Sequence, residues 1–434
     1  MGYPGGAGYA YPGEAGARGE SERGPLRAAF SGLTTRGRSF LAAGGAAAVC
    51  SYLLGKADLL RVGVLLAALP VLCVLVLHST RSRVTAARRL APDRIEPGAE
   101  ARVHLRLENV ARVPSGMLLL QDRVPYVLGP RPRFVLDRVE PGGRREVTYR
   151  IRSDVRGRYP VGPLQLRLAD PFGMVELSRS FHDVDVMTVL PRTEPLPGVP
   201  LPGSAHGQGD GRRRKPAVAG DDDVIPRDYR HGDDLRRVHW RATARRGTLM
   251  VRREEQPRRA RCTVLLDTRR TGYALGGPYS PFERAVSGAA SAVAHLSARG
   301  YAVRLLSEAG PLAPGAEAAA GDSSAAMPMM DALAGVVPSY VPGFEGALDA
   351  LGGDTGLVIA FLGLVDDGQV AVLARLRQRA AGGMAFLAAG QVSPALEAAR
   401  EEAVRRAGWS AVPLTPGVPL GRLWEQAAAG RGTR

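Results

Sequence analysis

Two apolar runs set back to back near the start, Phe40–Gly55 and Val62–Leu77, constrain this chain more than any other feature. Only Lys56-Ala-Asp-Leu-Leu-Arg61 separates them, so two helices formed here must turn and lie side by side. Each run is a little shorter than the roughly 20 residues that cross a bilayer as a helix. Leu59, Leu60 and the flanking small residues extend both. A cleaved signal peptide for the first run and a buried hairpin of a soluble protein are the alternatives. The second run follows at once and the basic residues lie far from the start, which favours a transmembrane helical hairpin over residues 36–80. Arg27, Arg36 and Arg38 precede it, and Arg81, Arg83, Arg88 and Arg89 follow. The turn between carries only Lys56 and Arg61, partly offset by Asp58. The excess of arginine outside the turn then predicts a multi-pass protein of the cell membrane with both termini and the soluble domains in the cytoplasm. Pro70 would kink the second helix, which a hairpin tolerates. Residues 1–35 open with a Gly-, Tyr-, Pro- and Glu-rich stretch without apolar period, the composition of a disordered tail.

Residues 84–190 change period. Val103, Leu105 and Leu107 alternate with His104, Arg106 and Glu108, as in a half-buried strand. Similar runs recur at 117–120, 133–139, 146–151, 164–168 and 184–190, punctuated by Glu96-Pro-Gly98, Glu140-Pro-Gly-Gly143 and Asp170-Pro-Phe-Gly173. Short strands at this spacing predict a small β-sandwich. His104 and His182 stand alone and read as structural. Residues 191–223 then read as a Pro/Gly-rich linker, with Arg212-Arg-Arg-Lys215 beside Asp221-Asp-Asp223. That basic quartet reads as a solvated loop or a contact for anionic lipid headgroups.

Residues 224–261 form an arginine-rich segment. The chain carries a net charge of +16. Residues 211–261 supply half of it, with 16 Lys and Arg against eight Asp and Glu. Part of the excess fits a GC-rich genome, because Gly, Pro, Ala and Arg are abundant together. Asp233 reads as a helix N-cap, with Asp234 in the first turn and Gly247 as the stop. Leu235, Val238 and Ala242 would share the apolar face, with Arg237, Arg241 and Arg245 on a neighbouring stripe. Trp240 and Arg236 would point outward. The three cysteines, Cys50, Cys73 and Cys262, make neither a disulfide framework nor a metal motif, so a reducing compartment is expected for the soluble part.

From 262 to 434 the pattern is α/β. Strands are predicted at 262–267, 301–306, 356–362 and 384–388, and helices at 281–299, 343–351, 366–381, 395–407 and 420–428. Alternation of this kind implies a mostly parallel, Rossmann-like sheet covered on both faces, with ligands bound beyond the strands' carboxyl ends. Asp267, ending the first of these strands, is the first place to look for a site.

The arginine-rich segment carries Arg227-Asp-Tyr-Arg-His-Gly-Asp233, Arg236-Arg-Val-His-Trp240, Thr243-Ala-Arg245 and Leu249-Met-Val-Arg252, followed by the strand ending in Asp267. With these residues and this order of parts, the chain resembles a bacterial family called domain of unknown function fifty-eight. The resemblance implies a multidomain α+β protein whose last domain is von Willebrand factor type A-like. It also implies a MoxR-type AAA+ ATPase as partner and a transglutaminase-like membrane protein nearby, without supplying an activity. Type A domains often hold a divalent cation through Asp-x-Ser-x-Ser and later Thr and Asp residues. Oxygen ligands of that kind suit Mg²⁺. Here the run is Asp267-Thr-Arg-Arg-Thr271, so Asp267, Thr271 and a distal Asp366 are the candidates, with Arg269 standing where the first serine would be. The alternative is that Asp267 caps a loop and pairs with an arginine.

Three function classes follow. An interaction or scaffold protein would dock its partner through Arg227, Tyr229, Asp233, Arg236, Arg237, His239, Trp240, Arg241 and Arg245, or those residues would seal an interdomain seam. An enzyme would need more than Asp228, Asp233, Asp234 and His239, since no nucleophile, phosphate loop or paired zinc motif accompanies them. Nucleic-acid binding is not expected, because acids interleave the arginines and only Trp240 and Tyr229 offer stacking.

Overall fold

The computed structural model describes residues 32–81, 84–112, 114–115, 117–170, 172–201, 225–229, 238, 240–253, 260–274, 276–313, 315, 326–352 and 355–430. Residues 1–31, the charged run 212–223, and Asp233, Arg236, Arg237 and His239 therefore lie outside the described residues. The chain divides into two compact units, Met1–Arg192 and Thr193–Arg434.

The first unit opens with helices α1 (Thr35–Leu54) and α2 (Ala57–Arg81). Thr34 caps α1 by accepting a hydrogen bond from the Gly37 amide at 3.3 Å, and Gly55, at φ +65°, ends it in the left-handed conformation. The helices pack through small residues. A Cβ on Gly44 would lie 2.8 Å from the Gly63 carbonyl oxygen, and one on Gly63 2.9 Å from that of Gly44. Ala48 and Ala67, four residues on, keep the approach close, a small-xxx-small crossing. Pro70 lies inside α2. Among the described residues only Ala57–Leu75 is both long and apolar enough to cross a membrane. Helix α1 reaches span length, but its run of Gly and Ala and its polar first turn dilute its apolarity.

Among the described residues ten strands follow: β1 (Val84–Ala91), β2 (Arg94–Ile95), β3 (Glu100–Asn109), β4 (Met117–Asp122), β5 (Arg133–Leu136), β6 (Arg144–Arg152), β7 (Gly157–Val161), β8 (Leu164–Ala169), β9 (Glu176–Phe181) and β10 (Asp185–Val189). They form three sheets, β1-β3-β6, β2-β10-β7 and β5-β4-β8-β9, around one core. Val103, Leu105 and Leu107 face inward as their period requires, joined by Leu118, Leu120, Leu166 and Leu168. The sequence pattern missed β1 because the buried side of Val84-Thr-Ala-Ala-Arg-Arg-Leu-Ala91 is not all apolar. Arg88 is buried on it, paired with the fully buried Asp122 at 2.7 Å. The Tyr149 hydroxyl donates to the same carboxylate at 2.7 Å. Burial and that carboxylate push the Tyr149 phenol well above its usual range. His104 hydrogen-bonds Thr148 across β3 and β6.

The second unit begins with part of the expected linker. Residues 193–201 lie against the α/β domain. Glu194 accepts from Arg284 at 3.3 Å and from the Leu420 amide at 2.7 Å, its own amide donates to Ser291 Oγ at 2.8 Å, and Leu201 is buried. A proline-rich composition thus describes an extended strap here. Next come β11 (Ile225–Asp228) and β12 (Met250–Arg253), paired antiparallel, with the short helix α3 (Trp240–Arg246) between them. The helix expected from Asp233 is accordingly shorter. Val238 is buried in an isolated bridge to Val251 and takes no place on a helical face. Gly247, at φ +71°, ends α3 as expected.

The main sheet has the order β15-β14-β13-β16-β17-β18. Its strands are β13 (Arg261–Leu266), β14 (Ala302–Ser307), β15 (Gly310–Pro311), β16 (Thr355–Leu362), β17 (Ala380–Ala388) and β18 (Ser410–Leu414), all parallel except β15. The helices are α4 (Pro281–Ala298), α5 (Met327–Gly335), α6 (Glu345–Ala350), α7 (Asp367–Gln378), α8 (Pro394–Arg406) and α9 (Leu420–Ala429). The interior of β13, Cys262 to Leu266, is buried throughout, as a strand covered on both faces must be. Cys262 is a free thiol that burial pushes far up, so it is inert. The chain leaves β13 for β14 on one side and later returns to β16 on the other, so the strand order reverses between β13 and β16.

Candidate functional site

A reversal of this kind opens a crevice beyond the strands' carboxyl ends, the usual ligand position in open α/β sheets. Here the protein fills it with its own side chains. Asp267 follows β13, and its amide bonds the Phe361 carbonyl of β16 at 2.8 Å. Its carboxylate accepts four hydrogen bonds. Oδ1 takes the Arg269 amide at 3.0 Å and Arg269 Nε at 2.9 Å; Oδ2 takes Arg269 Nη2 at 2.8 Å and the Gly363 amide at 2.9 Å. Arg269 Nη2 also donates to the Leu364 carbonyl at 3.0 Å, and its guanidinium stacks 4.4 Å above the Phe344 ring. Both Asp267 and Arg269 are 0% exposed. Burial raises the Asp267 carboxyl above its usual range, while Arg269 and the two amides oppose the rise. Every donor faces a carboxylate lone pair, which is the arrangement that fits the ionised form.

The backbone closes the crevice further. Leu364 donates its amide to the Gly272 carbonyl at 2.7 Å. A Cβ on Gly272 would stand 3.2 Å from Asp267 Oδ2, and one on Gly363 would collide with the Gly272 carbonyl. Glycine at both positions permits this approach. Beside it, Thr268 donates from its amide and hydroxyl, each at 2.8 Å, to the fully buried Glu308 carboxylate. Sequence reasoning overlooked Glu308, whose setting, Ser307-Glu-Ala-Gly310, reads as a surface turn. The segment around Ser339 runs alongside, exchanging backbone bonds with Thr268 and Arg270 at 2.6 and 2.7 Å. It exposes Val337, Tyr340 and Val341, and Arg270 lies 5.5 Å from the Tyr340 ring.

Each of the residues considered for Mg²⁺ has another environment. Asp267 is held by Arg269, Thr271 is exposed in a 3-10 turn, and Asp366 caps α7 in a reciprocal box with Gln369, with both bonds at 2.9 Å. A cation at Asp267 would have to displace the Arg269 guanidinium. Among the described residues no group of three or more His, Cys, Asp or Glu side chains assembles.

Of the signature residues, Arg227 lies on β11 with its backbone paired to Val251, and the Tyr229 amide bonds the Leu249 carbonyl at 2.8 Å. Trp240 is 70% exposed. Arg241 and Arg245 are exposed one turn apart on α3, which buries no side chain. A small solvent-open cleft of about 30 Å³ lies between the carboxyl ends of β16 and β17 and helix α8, walled by Leu364, Leu387 and Pro413 and edged by Arg400. The buried Arg400 Nη1 has no hydrogen-bond partner among the described residues.

Residues 226–380 match the family model described as protein of unknown function DUF58. No curated protein matches the chain. Solved structures with local similarity include a CARDB domain from Pyrococcus furiosus in complex with di-metal ions, 13% identical over 24% of this chain and 84% of its own, with a TM-score of 0.18. The ApaA protein from Bordetella pertussis is 12% identical over 24% of this chain and 91% of its own, with a TM-score of 0.19.

Proposed function

We propose that this is a membrane-anchored, cytoplasm-facing interaction or scaffold protein without catalytic activity. Its α/β domain, read as von Willebrand factor type A-like, docks a MoxR-type AAA+ ATPase in a cell-envelope or chaperone-like assembly role, with a transglutaminase-like membrane protein as a further companion. The observation that carries this reading is the Asp267–Arg269 pair. The place where an α/β sheet would hold a metal or substrate is filled by an internal guanidinium, which leaves the outer surface to do the work. That surface presents Trp240, Arg241 and Arg245 on one short helix. Tryptophan and arginine are the residue types that dominate binding energy at interfaces. The choice of ATPase rests on the family resemblance. The membrane reading rests on the apolar helix Ala57–Leu75 and its partner α1, and the excess of arginine outside the turn supports cytoplasmic termini.

The test is co-elution of the detergent-solubilised full chain with a purified MoxR-type ATPase from the same organism. The double variant Trp240→Ala, Arg241→Ala should lose the ATPase while keeping the parent melting temperature, since neither side chain is buried. Full co-elution of a folded double variant would remove the docking role of this helix.

A further inference from the structure

We propose that the end of the β body beside the hairpin's foot is a membrane-contact rim, seated in the lipid headgroup layer; this rests on the membrane reading above. The hydrocarbon core is about 30 Å thick, or about 20 residues of helix. Helix α1 has 20 residues. With Leu54 at one boundary, Thr35 falls at the other. There the hairpin is fixed to the turn between β8 and β9. The Thr34 amide donates to the Met174 carbonyl at 2.9 Å, its hydroxyl to the Gly173 carbonyl at 2.7 Å, and Leu33 bridges Val175. Phe40, Leu41 and Leu69 pack against the core of the β body, which also includes Cys73 and Val74. The body therefore stands beside the first two turns of α1 and residues 69–74 of α2, reaching from boundary depth about two turns into the span.

The strand registers say what else is at that end. Ala169, where β8 runs into this turn, pairs with Met117. Val84, three residues after Arg81, pairs with Asn109, which places Val110 at the same end. Phe172, Met117 and Val110 are exposed at 57, 54 and 57%. The Asp170 carboxylate fixes the turn by accepting from the Phe172 and Val175 amides at 3.0 and 2.6 Å. Arg36, Arg38 and Arg112 are exposed. The first two begin α1 and the third follows Val110. Apolar side chains that reach the acyl boundary, with arginines at phosphate level, are what an interfacial contact requires.

The experiment places a nitroxide on the full chain, with Cys50→Ala removing the exposed thiol, in phosphatidylcholine–phosphatidylglycerol vesicles. Labels go separately on Phe172→Cys, Leu65→Cys and Tyr126→Cys. Tyr126 follows Asp122, which pairs with Leu164 at the far end of β8, so it is the aqueous reference. Collisions with oxygen, which partitions into lipid, are compared with those of a water-soluble nickel complex. The rim predicts a severalfold higher oxygen-to-nickel ratio at 172 than at 126, and a still higher ratio at 65. A ratio at 172 equal to that at 126, with 65 in hydrocarbon, overturns the rim and leaves the membrane anchor standing. Aqueous ratios at all three positions overturn the anchor and the rim together.

Discussion

At the scale of single residues, Arg269 occupies the crevice at the carboxyl end of the α/β sheet. Its guanidinium answers the buried Asp267 carboxylate on both oxygens, so removing it strands a charge in the interior. Breaking one partner of such a pair costs about 3–5 kcal/mol. Arg269→Ala should therefore lower the unfolding free energy of the domain by about that amount in urea titrations, and Asp267→Ala added to it should restore part of the loss. Additive losses would mean the two side chains are not coupled. Asp267 was legible in the sequence, because an acid ending a buried strand is conspicuous. The role of Arg269 was open, since sequence places it two residues from Asp267 but does not say that the loop folds back. Glu308 and Phe344, which complete the surroundings, come from distant segments and carry no local signal.

At the scale of elements, the periodic ones were legible and those built on buried charge were not. Strand β3 and helix α4 follow their apolar periods almost to the residue. Strand β1 is hidden by Arg88, and α3 begins at Trp240 because Val238 pairs with a strand. Helix α4 also carries a pH dependence. His295 packs edge-on against Trp424, and burial, with Arg299 nearby, lowers its pKa below the usual value near 6.5. The folded state then binds fewer protons than the unfolded chain. Stability from this residue is complete above the unfolded value and declines as pH falls through about 6.5. His295→Gln should flatten that decline in urea midpoints measured from pH 7.5 to 5.5. A slope identical to the parent's would assign the acid sensitivity elsewhere.

At the scale of the molecule, the order of parts was readable because each part has its own composition: apolar hairpin, alternating strands, charged segment, α/β alternation. The strap at residues 193–201 was not, since what holds it, the Glu194 carboxylate and amide and the buried Leu201, meets elements distant in sequence. The central claim is that partner docking does not pass through a divalent cation at Asp267. The most direct measurement is equilibrium binding of the full chain, in nanodiscs, to the nucleotide-free MoxR-type ATPase, in EDTA and then in Mg²⁺. Nucleotide is omitted so that Mg²⁺ cannot act through the ATPase's own site. The dissociation constant should be the same in both and unchanged by Asp366→Asn. Binding that requires Mg²⁺ and is lost in Asp366→Asn would contradict it.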